Sequence, residues 1–149
     1  MSLQKDLDFG LNKEKVVLKM INKFFNRNIC QSLDKFSRYD FYDYKYSYEL
    51  KSRRCEHDTY PTTMIAADKM KDKTIFLFLF TDGLYYIKYK KTFLLFETKL
   101  FVRPKREGIN DGINDVKKLY VYIPIEKLKK IEINDDDDDV KDIDFTMIF

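Results

Sequence analysis

The sequence predicts an α/β or α+β fold built on a central mixed β-sheet with flanking helices. Three observations carry this. An amphipathic stretch near the start has helical spacing, a series of short runs has strand character, and one run, "IFLFLF" (75–80), is apolar on both faces. With 149 residues, 44% hydrophobic and 16% aromatic, the chain can fill one core despite 36% charged residues. The expected organisation is one domain over 1–134 followed by an acidic tail over 135–149.

The elements follow in order. "NKEKVVLKMINKFFN" (12–26) places Val16, Val17, Met20, Ile21, Phe24 and Phe25 on one helical face. Asn12 is the expected N-cap, and Glu14 in the first turn suits the helix dipole. Strands are expected at 28–33, 37–42 and 46–52, with Asp43-Tyr44-Lys45 as the turn between the last two. Pro61 then opens a second helix over 61–71, with Met64, Ile65, Ala67 and Met70 as its apolar stripe. The run at 73–80 reads as a strand covered on both sides, and Asp82-Gly83 as a hairpin turn into 84–90. Further strands are expected at 92–104 and 118–124, around a loop at 105–115, and a short closing helix at 125–131. The order αβββαβ therefore forms the core, with extra strands toward the C-terminus.

Composition narrows the classes of function. The opening "MSLQKDLDFG" lacks the apolar centre of a signal peptide, and six apolar residues are too few to span a bilayer. Cys30 and Cys55 suit free thiols in a reducing compartment. These features lead to the expectation of a soluble intracellular protein without a membrane partner, in the cytoplasm or nucleus. Residues 135–149 hold seven Asp and one Lys, a local charge of −6, so the net +3 leaves +9 on residues 1–134. A basic body is compatible with a nucleic-acid partner. The "DDDDD" run (135–139) reads as a solvated segment, and its apolar ending "VKDIDFTMIF" could dock on a protein partner or pack on the body.

The candidate chemistry lies in "RYDFYDYKYSYELKSRR" (38–54). Residues two apart on a strand share a face, so Glu49 and Lys51 point the same way while Leu50 points to the other. Asp40 on the partner strand can stand beside Glu49. Two carboxylates and the Leu50 carbonyl make an oxygen-rich corner of the kind Mg²⁺ accepts. A lysine beside it can orient a water or stabilise charge developing on a phosphate.

The acid-x-Lys tripeptide alone carries little weight, because it occurs at 43–45, 49–51, 97–99, 115–117 and 139–141. Context separates the five. Two fall in expected loop or tail and one is the turn itself. Glu97-Thr98-Lys99, with Asp82 upstream, is the serious rival, but Asp82 belongs to a turn. Only 49–51 has a rigid strand and a second acid on its neighbour.

With a helix carrying Glu14, a strand ending in Asp40, the strand with "ELK" and a buried strand beyond, residues 8–80 resemble the PD-(D/E)xK nuclease superfamily. That superfamily includes many restriction endonucleases, phage-type exonucleases and archaeal Holliday-junction resolvases. "YELKSR" followed by "YPTTM" is also similar to small nuclease-like proteins of large DNA viruses. The resemblance implies a restriction-endonuclease-like fold and Mg²⁺-dependent DNA hydrolysis, with Mn²⁺ substituting and an endonuclease ahead of an exonuclease. It assigns Asp40 and Glu49 to the metal, Lys51 to catalysis, and Glu14 to the helix acid of the resolvase-like branch. Tyr39 stands where that pattern has proline before the first acid, and eight residues between Asp40 and Glu49 demand a tight hairpin. RNA fits the same chemistry, and paired cuts on a junction require a homodimer. The competing reading is a catalytically inactive nuclease-fold module that serves as a DNA-binding or assembly subunit.

Around this site, Arg53 and Arg54 are the expected phosphate contacts. Thr62 and Thr63 are expected at an anion-welcoming helix N-terminus, with Lys69 on the same helix. His57 is expected in a solvated loop, and one His with two Cys is too few for a zinc cluster.

Overall fold

The computed structural model describes residues 3–34, 37–104 and 115–132. The mixed α+β class is what it shows: one helix, a six-stranded mixed sheet and a second, three-stranded sheet. The helix α1 runs Leu3–Phe25. The strands are β1 (Cys30–Gln31), β2 (Phe41–Tyr42), β3 (Ser47–Ser52), β4 (Thr62–Ala66), β5 (Thr74–Phe80), β6 (Gly83–Lys88), β7 (Thr98–Pro104), β8 (Asp115–Pro124) and β9 (Lys129–Lys130). The main sheet has the order β1-β2-β3-β5-β6-β9, and the second β4-β8-β7. Among the described residues only β3 and β5 run parallel, and every other pair is antiparallel.

The core follows from the double-sided character of β5, whose seven residues are all buried. Ile75, Leu77 and Leu79 face α1 and pack with Val17, Met20, Ile21 and Tyr48. Phe76, Phe78 and Phe80 face the other way and pack with Ile65, Phe93 and Ile123, residues outside the main sheet. The sheet is thus covered by a helix on one face and by the second sheet on the other. Burying a side chain such as Phe78 contributes about 1.5–3 kcal/mol, so β5 is the spine of the molecule.

Several expectations are corrected. The segment 61–71 is not a helix: Thr62–Ala66 is a strand paired with β8, followed by a 3₁₀ turn at Ala67–Lys69. β-Branched Thr62, Thr63 and Ile65 suit a strand, and Thr63 and Ile65 are buried while Met64 is exposed, a period of two. The closing helix at 125–131 is likewise a 3₁₀ turn, Ile125–Lys127, leading into β9 on the edge of β6. Residues 92–95, expected to begin a strand, lie in another 3₁₀ turn, Lys91–Leu95, before β7. The helix itself begins at Leu3, so Asn12 lies inside it and is not its cap, and Glu14 is well beyond the first turn. Phe24 is 37% exposed although the period put it on the apolar face; it stands edge-on to Tyr86.

The expected hairpin joins β5 to β6, but its turn sits one residue earlier: Thr81 and Asp82 form it, and Gly83 opens β6 opposite Phe80. Gly83 has φ +156°, and a Cβ there would stand 3.2 Å from the Lys130 side chain, so the position selects glycine. No helix among the described residues is long and apolar enough to cross a membrane. The 105–115 loop, apart from Asp115, and the acidic tail lie outside the described residues.

Candidate active site

The site forms where two strands part. β2 and β3 pair at Phe41–Tyr48 and Tyr42–Ser47, and the Asp40 N–H still reaches the Tyr48 carbonyl at 2.9 Å. Beyond that point β3 has no backbone partner on this side among the described residues. The Leu50 N–H is taken up by a side chain: it donates to Asp40 Oδ2 at 2.8 Å. A residue's N–H and C=O project to the same edge of a strand, so the Leu50 carbonyl faces the same opening. The other edge of β3 is satisfied by β5, from Ser47 N on Lys73 O to Arg53 N on Leu79 O.

Glu49 and Lys51 lie opposite Phe76 and Phe78 of β5 and share their face of the sheet. Glu49 is buried, at 7% exposure. Its Oε1 lies 3.2 Å from Lys51 Nζ and 3.6 Å from Lys69 Nζ. Lys69, expected on a helix, reaches the site from the 3₁₀ turn after β4 and also donates to the Arg38 carbonyl at 3.3 Å. A cavity of about 300 Å³ adjoins Glu49, with Arg38, Lys69 and Lys71 in its wall.

Glu14 completes the arrangement from α1, where Gln31 of β1 donates a hydrogen bond to its Oε2. Gln31 was not singled out in the sequence, since one amide in a two-residue strand carries no pattern. Burial first, and the Asp40 charge second, raise the pKa of Glu14, while Gln31 opposes the shift. Glu49 is raised by the same two causes in the same order, against the pull of Lys51 and Lys69. The Asp40 charge therefore acts on both glutamates.

These three acids do not close into a ready cage. Among the described residues, only His57, Asp58 and Asp82 bring three metal-competent side chains within 4.8 Å of one another. Each acid of the Asp40 group has turned to its own donor: the Leu50 N–H, the two lysines, and Gln31. Their chemistry, carboxylate and carbonyl oxygen, fits a hard divalent cation that would replace those donors.

The alternatives lose on geometry. Asp43 is a turn residue: its Oδ1 accepts from Lys45 N at 2.8 Å and Tyr46 N at 2.6 Å, and its Oδ2 from Tyr48 Oη at 2.7 Å. Burial works against its charge, but these bonds and Arg27 hold its pKa below the usual value. Glu97 and Lys99 are exposed, and Asp82 is engaged by His57. His57 is not a free loop residue: its ring stacks on Tyr85 at 4.7 Å, and its N–H donates to Asp82 Oδ1 at 2.9 Å.

The expected nucleic-acid contacts divide. Arg53 donates to Met64 O at 2.9 Å and Thr63 Oγ1 at 3.4 Å, so it ties β4 to β3. Thr63 is buried on that contact and Thr62 begins a strand, so the helix N-terminus expected there is absent. Arg54 is exposed and near Lys13, whose pKa is lowered by burial and then by Arg54. Compared with known proteins, the chain matches no family model, no curated protein and no solved structure.

Proposed function

We propose that the chain is a Mg²⁺-dependent nuclease of the PD-(D/E)xK kind that hydrolyses DNA phosphodiester bonds. One observation carries the reading. Buried Glu49 lies within the field of the Asp40 charge where β2 and β3 part, with Lys51 one face-sharing step beyond Glu49 and 3.2 Å from its carboxylate. A buried acid whose charge is disfavoured by burial and by a second acid is costly to keep without a task.

Asp40, Glu49, Glu14 and the Leu50 carbonyl would hold the metal. When bound, Mg²⁺ supplies charge neutralisation at the phosphate and a bound water of lowered pKa. The chain's own residues do the rest. Lys51 sits beside the charge that develops as water attacks phosphorus and the P–O3′ bond breaks, leaving a 5′-phosphate and a 3′-hydroxyl. Lys69 holds Glu49 from the other side, and Arg38, Lys69 and Lys71 line the approach for the backbone. Cleavage of linear duplex, single-stranded and four-way-junction DNA with Mg²⁺ or Mn²⁺, together with RNA controls, tests the reading. Metal-dependent products are expected; salt-dependent binding without products favours a DNA-binding module instead.

A further inference from the structure

A second cavity, of about 390 Å³, opens at the far end of β3, lined by Arg53, Tyr60, Thr62, Met64, Phe101 and Tyr122 among others. The backbone stays extended past Lys51, since Arg53 N–H donates to Leu79 O at 2.9 Å. Arg53 therefore follows Glu49 and Lys51 on one face, roughly 7 Å beyond Lys51 at the usual strand rise. The cavity therefore begins two side-chain steps, roughly 13 Å along the strand, from Glu49. Its size falls in the range of pockets that hold small ligands.

The lining suits a flat ring with polar edges. Tyr60 is 63% exposed and Met64 36%, so neither serves the core. Met64 pairs across the strands with Tyr122. Phe101 is braced edge-on by Tyr120 at 5.2 Å, and the Lys99 ammonium lies 5.4 Å from its centre. Arg53 is a cation fixed in the wall by Met64 O and Thr63 Oγ1. The Thr62 hydroxyl adds a polar group that can donate or accept.

We infer that this cavity takes an unpaired nucleobase from the strand whose phosphate is cut at the carboxylates, an inference that rests on the nuclease reading. Aromatic rings beside cations hold any base by stacking, independent of sequence. A base in a continuous duplex is stacked and paired and cannot enter. The substrate class is thus single-stranded nucleic acid, or duplex with a splayed nucleotide at a flap, frayed end or junction.

The test is binding of short single strands carrying one 2-aminopurine, in DNA and RNA form, followed by fluorescence. Ca²⁺ replaces Mg²⁺, and the oligonucleotides are recovered to verify that they are intact. Quenching is expected on binding. Tyr122→Leu and Tyr60→Ala should each weaken single-strand binding about tenfold, with blunt duplex binding changed less than about twofold. Tyr60 is mostly exposed, so its variant folds even if the Tyr122 variant does not. Equal losses on both substrates, or no loss with Tyr60→Ala and any folded Tyr122 variant, overturn the inference. Cutting is scored separately with Mg²⁺. Quenching without cutting by the wild type keeps the cavity and removes the nuclease reading. Cutting without quenching does the reverse.

Discussion

The Asp40 carboxylate accepts a 2.8 Å hydrogen bond from the backbone N–H of Leu50, the residue between Glu49 and Lys51. A side chain here stands in for a missing sheet partner. That bond satisfies the Leu50 N–H while this edge of β3 stays without a further backbone partner among the described residues, which is what a site on a sheet requires.

The acids should behave as one metal site. Adding Mg²⁺ should raise the melting temperature of the wild type, by mass action on the folded state. Asp40→Asn or Glu49→Gln should abolish that rise. Calorimetric titration and thermal melts with and without Mg²⁺ measure this, and a rise surviving in both variants would place the metal elsewhere, with the His57, Asp58 and Asp82 group as the next candidate.

Without metal, Glu49 should be a stability liability at neutral pH. Its pKa is raised above the ordinary 4.5, by burial and then by Asp40. An acid raised in the folded state favours folding when protonated, so its contribution worsens as pH climbs from the unfolded value through the raised one. Metal-free Glu49→Gln should therefore match the wild type near pH 4 and exceed it in melting temperature near pH 8. Mg²⁺ affinity should fall with pH over the same interval as protons compete for the carboxylates. Melts across pH in EDTA decide it; a variant less stable at every pH contradicts the electrostatics.

Asp43 and Asp40 should separate cleanly although they are three residues apart. Asp43 has a side chain only 1% exposed and accepts from Tyr48, two backbone N–H groups and Arg27. Asp43→Asn should cost about 2 kcal/mol, read by denaturant unfolding, and leave metal binding intact once folded. Its lowered pKa makes its stabilisation disappear as pH drops below the usual aspartate range. Asp40→Asn should do the opposite: lose metal binding and keep most of the stability.

Lys69 should matter less than Lys51. Its Nζ is 3.6 Å from Glu49 and shared with the Arg38 carbonyl, so it serves as a positioning residue. Lys69→Met should lower kcat by about tenfold or less, and Lys69→Arg should restore most of it. Kinetics at saturating Mg²⁺ check this; a loss as large as that of Lys51→Ala would make it an equal partner.

Much of this was legible in the sequence. "IFLFLF" declared a doubly covered strand, Asp82-Gly83 a hairpin, and the two-residue spacing of Glu49 and Lys51 a shared face. Glu14, Asp40 and Glu49 were grouped from their order along the chain, and the Asp40 charge acts on each glutamate. What escaped was tertiary. "PTTMIAADKMK" has apolar residues at spacings that fit a helix as well as a strand, and only the edge of β8 decides between them. Arg53 is drawn into the structure by the Met64 carbonyl, which no local pattern announces. The partnership of His57 with Asp82 spans 25 residues and was equally hidden.

The most direct measurement is metal-dependent cleavage by wild type and Lys51→Ala side by side, with Mg²⁺, Mn²⁺ and EDTA. The account predicts products with either metal, none in EDTA, and a rate lower by about 10²–10³ in the variant at unchanged melting temperature. Absence of cutting by the wild type on every substrate, or equal cutting by the variant, contradicts it.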